Sequence, residues 1–165
     1  MTNVELIKLA KEARELSGAV ISNFKVGAAL LTTDGIVFTG CNIEDPSGVG
    51  VTNICAERCA MVKALSEGYC NFTKIAVVGG KQGDVCQGDG SLDTFSRCQE
   101  NRPPDTRPPD TPSPDELIFC TPCGVCRQYM NSYNPKMTVV CGWGDGEIRE
   151  FSLEELLPHS FNEKF

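Results

Sequence analysis

The chain has 165 residues, 41% of them hydrophobic, a size that supports one core rather than several domains. Its 15 basic and 22 acidic side chains leave a formal net charge of -7, which weakens attraction to phosphate backbones and anionic lipid and favours a small-molecule partner over a nucleic acid polymer or a membrane. No run reaches the ~18 apolar residues of a bilayer span, and no basic segment leads into an apolar one at Met1-Thr2-Asn3-Val4-Glu5; the expected location is cytoplasmic, with the ten cysteines kept as thiols.

In chain order, Thr2 and Glu5 have capping-box spacing, and Val4, Ile7, Ala10 and Ala13 recur at helical period, predicting an amphipathic helix over 3–16. Val26 to Thr32 and Ile36 to Cys41 are rich in strand formers and flank Asp34-Gly35, the pattern of a β-hairpin. Helical character returns over 54–67 and stops at Gly68, and the apolar run Ile75 to Val78 predicts a buried strand. Residues 82–116 hold six of the ten prolines, and their eight acidic residues against three arginines account for five of the seven net negative charges. Within them Arg102-Pro103-Pro104-Asp105-Thr106 repeats as Arg107-Pro108-Pro109-Asp110-Thr111, so this stretch reads as an acidic, proline-rich surface insertion within a single domain spanning 1–165. Leu117 to Phe119 suit a strand, and Thr121-Pro122 suits an N-cap followed by proline at the first helical position, with Cys123 to Tyr133 on the helix. Val139 to Cys141 and Ile148 to Phe151 flank the turn dipeptide Asp145-Gly146, and Ser152 with Glu155 caps a closing helix that ends near Pro158. Strands alternating with helices predict an α/β layered domain. Cys41, Cys70 and Cys141, beside apolar or glycine positions, read as packing residues, and His159, the only histidine, as a surface side chain.

The chemistry is carried by Cys55-Ala56-Glu57-Arg58 and Pro122-Cys123-Gly124-Val125-Cys126-Arg127-Gln128, each at a predicted helix start. Positive helix ends favour thiolates, and zinc takes three sulfur ligands while retaining a fourth position for water. A glutamate two residues after the first ligand, followed later by Pro-Cys-x-x-Cys, is the arrangement of zinc deaminases in their three-cysteine variant. Cys55, Cys123 and Cys126 are therefore the candidate Zn²⁺ ligands and Glu57 the candidate acid and base. Three thiolates outweigh a dication by one charge, and Arg58, together with the two helix ends, is available to offset that excess. Cys59, four residues after Cys55, and Cys120, three before Cys123, could instead complete a purely structural four-cysteine site. A redox C-x-x-C protein would leave the Cys55-Ala56-Glu57 segment unexplained.

These segments, with Phe24-Lys25-Val26-Gly27-Ala28-Ala29, Asn42-Ile43-Glu44 and Leu156-Leu157-Pro158 followed by Phe161, resemble the small homotetrameric branch of the cytidine deaminase family. The resemblance covers nearly the whole chain outside 82–116. It implies a three-layer α/β/α domain with a mixed five-stranded sheet, and hydrolytic deamination of a free cytosine nucleoside, as in pyrimidine salvage. It also implies that Phe24 packs on the cytosine ring, that Asn42 and Glu44 bind the ribose 3′-hydroxyl, that Ala56 lies against the substrate, and that Phe161 reaches over a neighbouring subunit's site. Read without the family, Phe24 is a core residue, Asn42-Ile43-Glu44 a loop and Phe161 interface packing. Where the family commonly continues Asn-Ala-Ser-Tyr-Gly after its Asn-x-Glu, this chain has Asp45-Pro46-Ser47-Gly48-Val49-Gly50 and lacks the tyrosine. That altered loop keeps a modified cytosine nucleoside or a nucleoside-like antibiotic open as the substrate, while the acidic charge weighs against deamination of a polynucleotide.

Overall fold

The structure, a computed structural model, describes residues 1–81, 120–143 and 147–161. Helix α1 (Asn3–Arg14) begins at the expected capping box: the Glu5 N–H donates to Thr2 Oγ1 at 3.3 Å, and the Thr2 N–H donates to Glu5 Oε2 at 2.7 Å. Its buried stripe is Leu6, Ile7, Ala10 and Ala13, whereas Val4, expected inside, is 67% exposed. Leu6 shares the face of Ala10 and Ala13, and Val4 falls on the far side of Ile7 from it, so the larger side chain takes the sheet-facing position.

Strands β1 (Phe24–Thr32) and β2 (Val37–Cys41) form the hairpin, paired from Gly27 with Cys41 to Leu31 with Val37, and Gly35 supplies the positive φ of +82°. A short 3₁₀ turn (Gly50–Thr52) precedes α2 (Ala56–Ser66). Helix α2 ends in a Schellman motif, in which the Tyr69 N–H donates to Ala64 O at 2.9 Å and the Gly68 N–H to Leu65 O at 3.0 Å, with Gly68 at φ +89°. Cys70 lies in the connection that follows and is exposed, which corrects its expected packing role; Cys141 is buried and Cys41 is half-buried.

Strand β3 (Phe72–Lys81) extends beyond the apolar run on both sides, and α3 (Gly124–Tyr133), β4 (Thr138–Trp143), β5 (Glu147–Ser152) and α4 (Leu153–Leu156) complete the chain order. The cap of α3 is Cys123, not Thr121. Arg127 donates from Nε to Pro122 O at 2.6 Å and from Nη2 to Thr121 Oγ1 at 3.0 Å, which holds Thr121-Pro122 as an extended lead-in and leaves Cys123 to make the turn. The expected strand Leu117 to Phe119, the turn Asp145-Gly146 and the 82–116 insertion lie outside the described residues.

The five strands form one mixed sheet in the order β2-β1-β3-β4-β5, antiparallel except for the parallel pair β3 and β4. Alternation along the central strands supplies two cores. Ala29, Ala76, Val78 and Val140 face Leu6, Ile7 and Ala10 of α1, while Ala28, Leu30, Ile75, Val77 and Val139 face Ala60 and Met61 of α2, Cys126 and Met130 of α3, and Leu153 of α4. The result is the expected three-layer α/β/α arrangement.

Helix α2 lies hard against β2: a Cβ at Gly40 would come within 2.5 Å of Ala60 N and 2.6 Å of Ala56 O. Gly40→Ala is therefore expected to push α2 off the sheet and to lower stability by about 1–3 kcal/mol in denaturant unfolding. Gly35→Ala, whose Cβ meets nothing within 4 Å, tests the φ penalty alone and should cost about 1 kcal/mol.

Candidate metal centre and substrate cavity

Two helix N-termini converge on one point because each begins with a cysteine. Cys55 caps α2 and Cys123 caps α3, both in extended backbone and neither using its side chain for a capping hydrogen bond. Their sulfurs turn toward each other instead, 3.9 Å apart, and Cys126 joins from the first turn of α3 with its side chain wholly buried. All three Sγ atoms lie within 4.8 Å of one another, the one such group of potential ligands found among the described residues. A tetrahedral centre with bonds of ~2.3 Å to sulfur separates its ligands by ~3.8 Å, so the donor set and its spacing fit zinc.

Electrostatics point the same way. Hydrogen bonding from Cys126 is the main reason the Cys55 thiol is pulled down to about 5, with Arg58 and Cys123 also favouring its thiolate. The same contact, followed by burial and the charges of Glu57 and Cys55, pushes Cys126 up. Cys55 forms its thiolate readily, and the buried Cys126 needs a positive charge beside it, which a dication provides. The Arg58 guanidinium donates from Nη2 to Asn53 O at 3.0 Å and lies close enough to the sulfurs for Cys55 to favour its charged form. Its Nε is buried without a hydrogen-bond partner among the described residues.

Glu57, on the first turn of α2, is only 4% exposed. Burial pushes its carboxyl up to about 7, and the Cys55 charge adds to that. Cys59, the alternative ligand on the same helix, instead packs beside Gly40 of β2. Cys120 is held against Gly79 of β3, where burial pushes its thiol up to about 12. Neither belongs to the sulfur cluster.

A cavity of about 270 Å³ opens beside the sulfurs, lined by Val26, Asn42, Ile43, Glu44, Asn53, Ile54, Cys55, Ala56, Glu57, Cys120, Thr121 and Cys123. It thus brings Asn42, Glu44 and Ala56 together with Cys55, Cys123 and Glu57. Asn42 is oriented by three bonds: Oδ1 accepts from Ser17 Oγ at 2.6 Å and from the Val26 N–H at 2.7 Å, and Nδ2 donates to Phe24 O at 2.9 Å. Glu44 accepts from the N–H groups of Ile21 at 2.7 Å and Ser22 at 2.9 Å. Phe24 does not line the cavity itself; its ring packs beside Gly79. Phe161 is 61% exposed, its carbonyl accepting from Gln128 Nε2 at 3.0 Å.

Sequence reasoning missed Val26, Asn53, Ile54 and Thr121 as cavity walls, and Arg127 as the brace of the ligand segment. Arg127 ties Thr121 and Pro122 to Leu156 O at the end of α4, at 2.7 Å from Nη1. Adjacency to a ligand was the available signal for Asn53, Ile54 and Thr121.

Residues 1–142 match the family described as "Cytidine and deoxycytidylate deaminase zinc-binding region". The chain belongs to that family. It is 40% identical over 157 residues to a cytidine deaminase of Halalkalibacterium halodurans, covering 94% of this chain and 91% of the relative. It is 34% identical over 161 residues to a cytidine deaminase of Sporosarcina psychrophila, covering 97% and 91% respectively. The crystal structure of a cytidine deaminase from Burkholderia pseudomallei superposes with a TM-score of 0.71 at 37% identity, over 98% of this chain and all of that one. For this deaminase-family chain, one zinc per chain is expected by emission spectroscopy, lost in Cys55→Ala, Cys123→Ala or Cys126→Ala and kept in Cys59→Ser. Zinc kept in Cys55→Ala and lost in Cys59→Ser would reassign the ligand shell.

Proposed function

We propose that the protein is a zinc-dependent aminohydrolase that converts a free cytosine nucleoside, cytidine or deoxycytidine, to the uracil nucleoside with release of ammonia. The observation that carries this reading is Glu57: a carboxyl 4% exposed, on the same cavity as the three-sulfur cluster and not needed to complete it. Cys55, Cys123 and Cys126 would hold the zinc, and Arg58 would offset the excess negative charge of three thiolates. Bound there, zinc supplies Lewis-acid activation of water.

Glu57 takes a proton from the water whose oxygen adds to C4 of the base and passes it to ring N3. It then moves the second proton to the amine at C4, which departs as ammonia while the C4 carbonyl forms. Ala56, wholly buried at the start of α2, brings a first-turn N–H toward the base. Asn42 and Glu44 meet the ribose 3′-hydroxyl from both sides, Nδ2 donating its remaining hydrogen and the carboxylate accepting; the bonds to Phe24, Ser17, Ile21 and Ser22 pre-orient them. A cavity of about 270 Å³ lies at the small end of ligand pockets and suits a nucleoside better than a larger antibiotic or a strand.

The functional unit we propose is a single domain, since residues on both sides of 82–116 contribute to one sheet, assembled as a homotetramer. A groove of about 680 Å³ between α2 and α3 is lined by Ile54, Val62, Val125 and Tyr129, and Val62 and Val125 are 47% and 62% exposed, which supports burial against another subunit. Phe161, exposed and tethered to α3, would pack over a neighbouring cavity, while Phe24, whose ring sits beside Gly79 and Cys120, would have to turn past that wall to pack on the base. No helix among the described residues is long and apolar enough to cross a membrane, and a cytoplasmic place in pyrimidine salvage suits such an enzyme.

Glu57→Gln keeps size and a hydrogen-bonding tip but loses the base. Its kcat should fall at least ~10²-fold with zinc content and assembly unchanged and nucleoside affinity by calorimetry little altered. Near-normal turnover in the zinc-loaded variant would overturn the mechanism. Light scattering should show four chains per particle, and Phe161→Ala should raise KM more than it lowers the melting temperature; a fully active monomer would remove the cross-subunit contact.

A further inference from the structure

Cys120 is a partly buried residue of the cavity wall that packs against the core covered by α2 and α3. It lines the cavity together with Cys55, Glu57 and Cys123, in a segment that runs through Thr121 directly to the ligand Cys123. Behind it is Gly79 of β3, where a Cβ would stand 2.7 Å from Cys120 Cβ, 2.9 Å from Cys120 Sγ and 3.0 Å from Phe24 Cε1. The strand, the thiol and the aromatic ring therefore meet at one point with no space among them. Arg127 fixes the same wall from its other end by holding Thr121 and Pro122. A side chain backed in this way has no room to withdraw toward β3.

We infer that Cys120 is a specificity-determining residue whose side chain limits substituents beside the reacting carbon, so that the enzyme prefers cytosine nucleosides unsubstituted at C5 and at the C4 amine. The inference rests on the deaminase reading above. The orientation follows from it: C4 must face the three sulfurs, and N3 must face Glu57. The other groups around C4 are then C5 with its substituent and the exocyclic amine, and these turn toward the rest of the reacting end, where Cys120 and Thr121 form the wall. In a cavity of about 270 Å³, one methyl on the substrate changes kcat/KM by roughly 10- to 200-fold. The thiol is small enough for a bare ring and too large for an added methyl.

The test uses zinc-loaded full-length protein with Cys120→Ala, which adds room, and Cys120→Val, which removes it. Relative kcat/KM for 5-methylcytidine and N4-methylcytidine against cytidine is measured for each, with zinc content on the same samples. Calorimetry of 5-methyluridine against uridine gives a readout that needs no turnover. Cys120→Ala should raise at least one of the two methyl-to-parent ratios about fivefold or more. Cys120→Val should lower the same ratio, or, if it does not fold, the calorimetric preference in Cys120→Ala should shift toward 5-methyluridine. Ratios and product preference within about twofold of the unaltered protein in zinc-loaded Cys120→Ala would overturn the inference while leaving the deaminase reading intact. Failure of the unaltered, zinc-loaded protein to release ammonia from cytidine would overturn both.

Discussion

Everything else in the site depends on two helices beginning at the same place with the same residue type. An N-cap position is ordinarily filled by a side chain that bonds back to the helix, as Thr2 and Ser152 do here. Cys55 and Cys123 give up that bond and leave the first-turn amides of α2 and α3 to act as fixed positive ends for sulfur. The concentration of positive helix ends stabilises the thiolates, and it places Glu57, two residues into α2, where burial keeps its carboxyl from water.

Holding those ends together is a matter of close packing. Gly40 lets α2 touch the sheet, and Arg127 braces the approach to α3 through Pro122, Thr121 and the end of α4. The far wall is braced separately, by Asn42 and Glu44 bonding back to the loop before β1. The two sides of the cavity are thus set by different parts of the chain, and each is held by hydrogen bonds from within the protein. Such pre-organisation reduces the ordering cost of binding a small polar molecule.

Much of this was legible in the sequence because it is encoded locally. The boxes at Thr2 and Ser152, the turn at Gly35 and the stop at Gly68 each need only a few adjacent residues to act, and the Cys-x-Glu and Pro-Cys-x-x-Cys spacings carry their chemistry with them. What was not legible depends on distant partners. Thr121 reads as a cap until Arg127, six residues on, takes its hydroxyl. Val4 reads as core until the sheet selects the Leu6 face of α1. Cys70 follows a helix stop and precedes a buried strand, yet the connection leaves it in solvent, since its packing depends on which way that strand is approached. Periodicity shows that a face is buried; it does not show against what.

The separation of the sulfurs along the chain has a consequence for stability as well as for chemistry. Cys55 and Cys123 are 68 positions apart, one before α2 and the other after β3. A metal bound between them is a cross-link in the topological sense, closing a long loop as a disulfide would. The constraint differs from a disulfide's in that the ion leaves when the chain unfolds, so its contribution to stability is the free energy of binding to the assembled site, which the unfolded chain does not offer. The ion is then part of what keeps the first half of the sheet joined to the second, and ligand substitutions act on the persistence of the fold together with its reactivity.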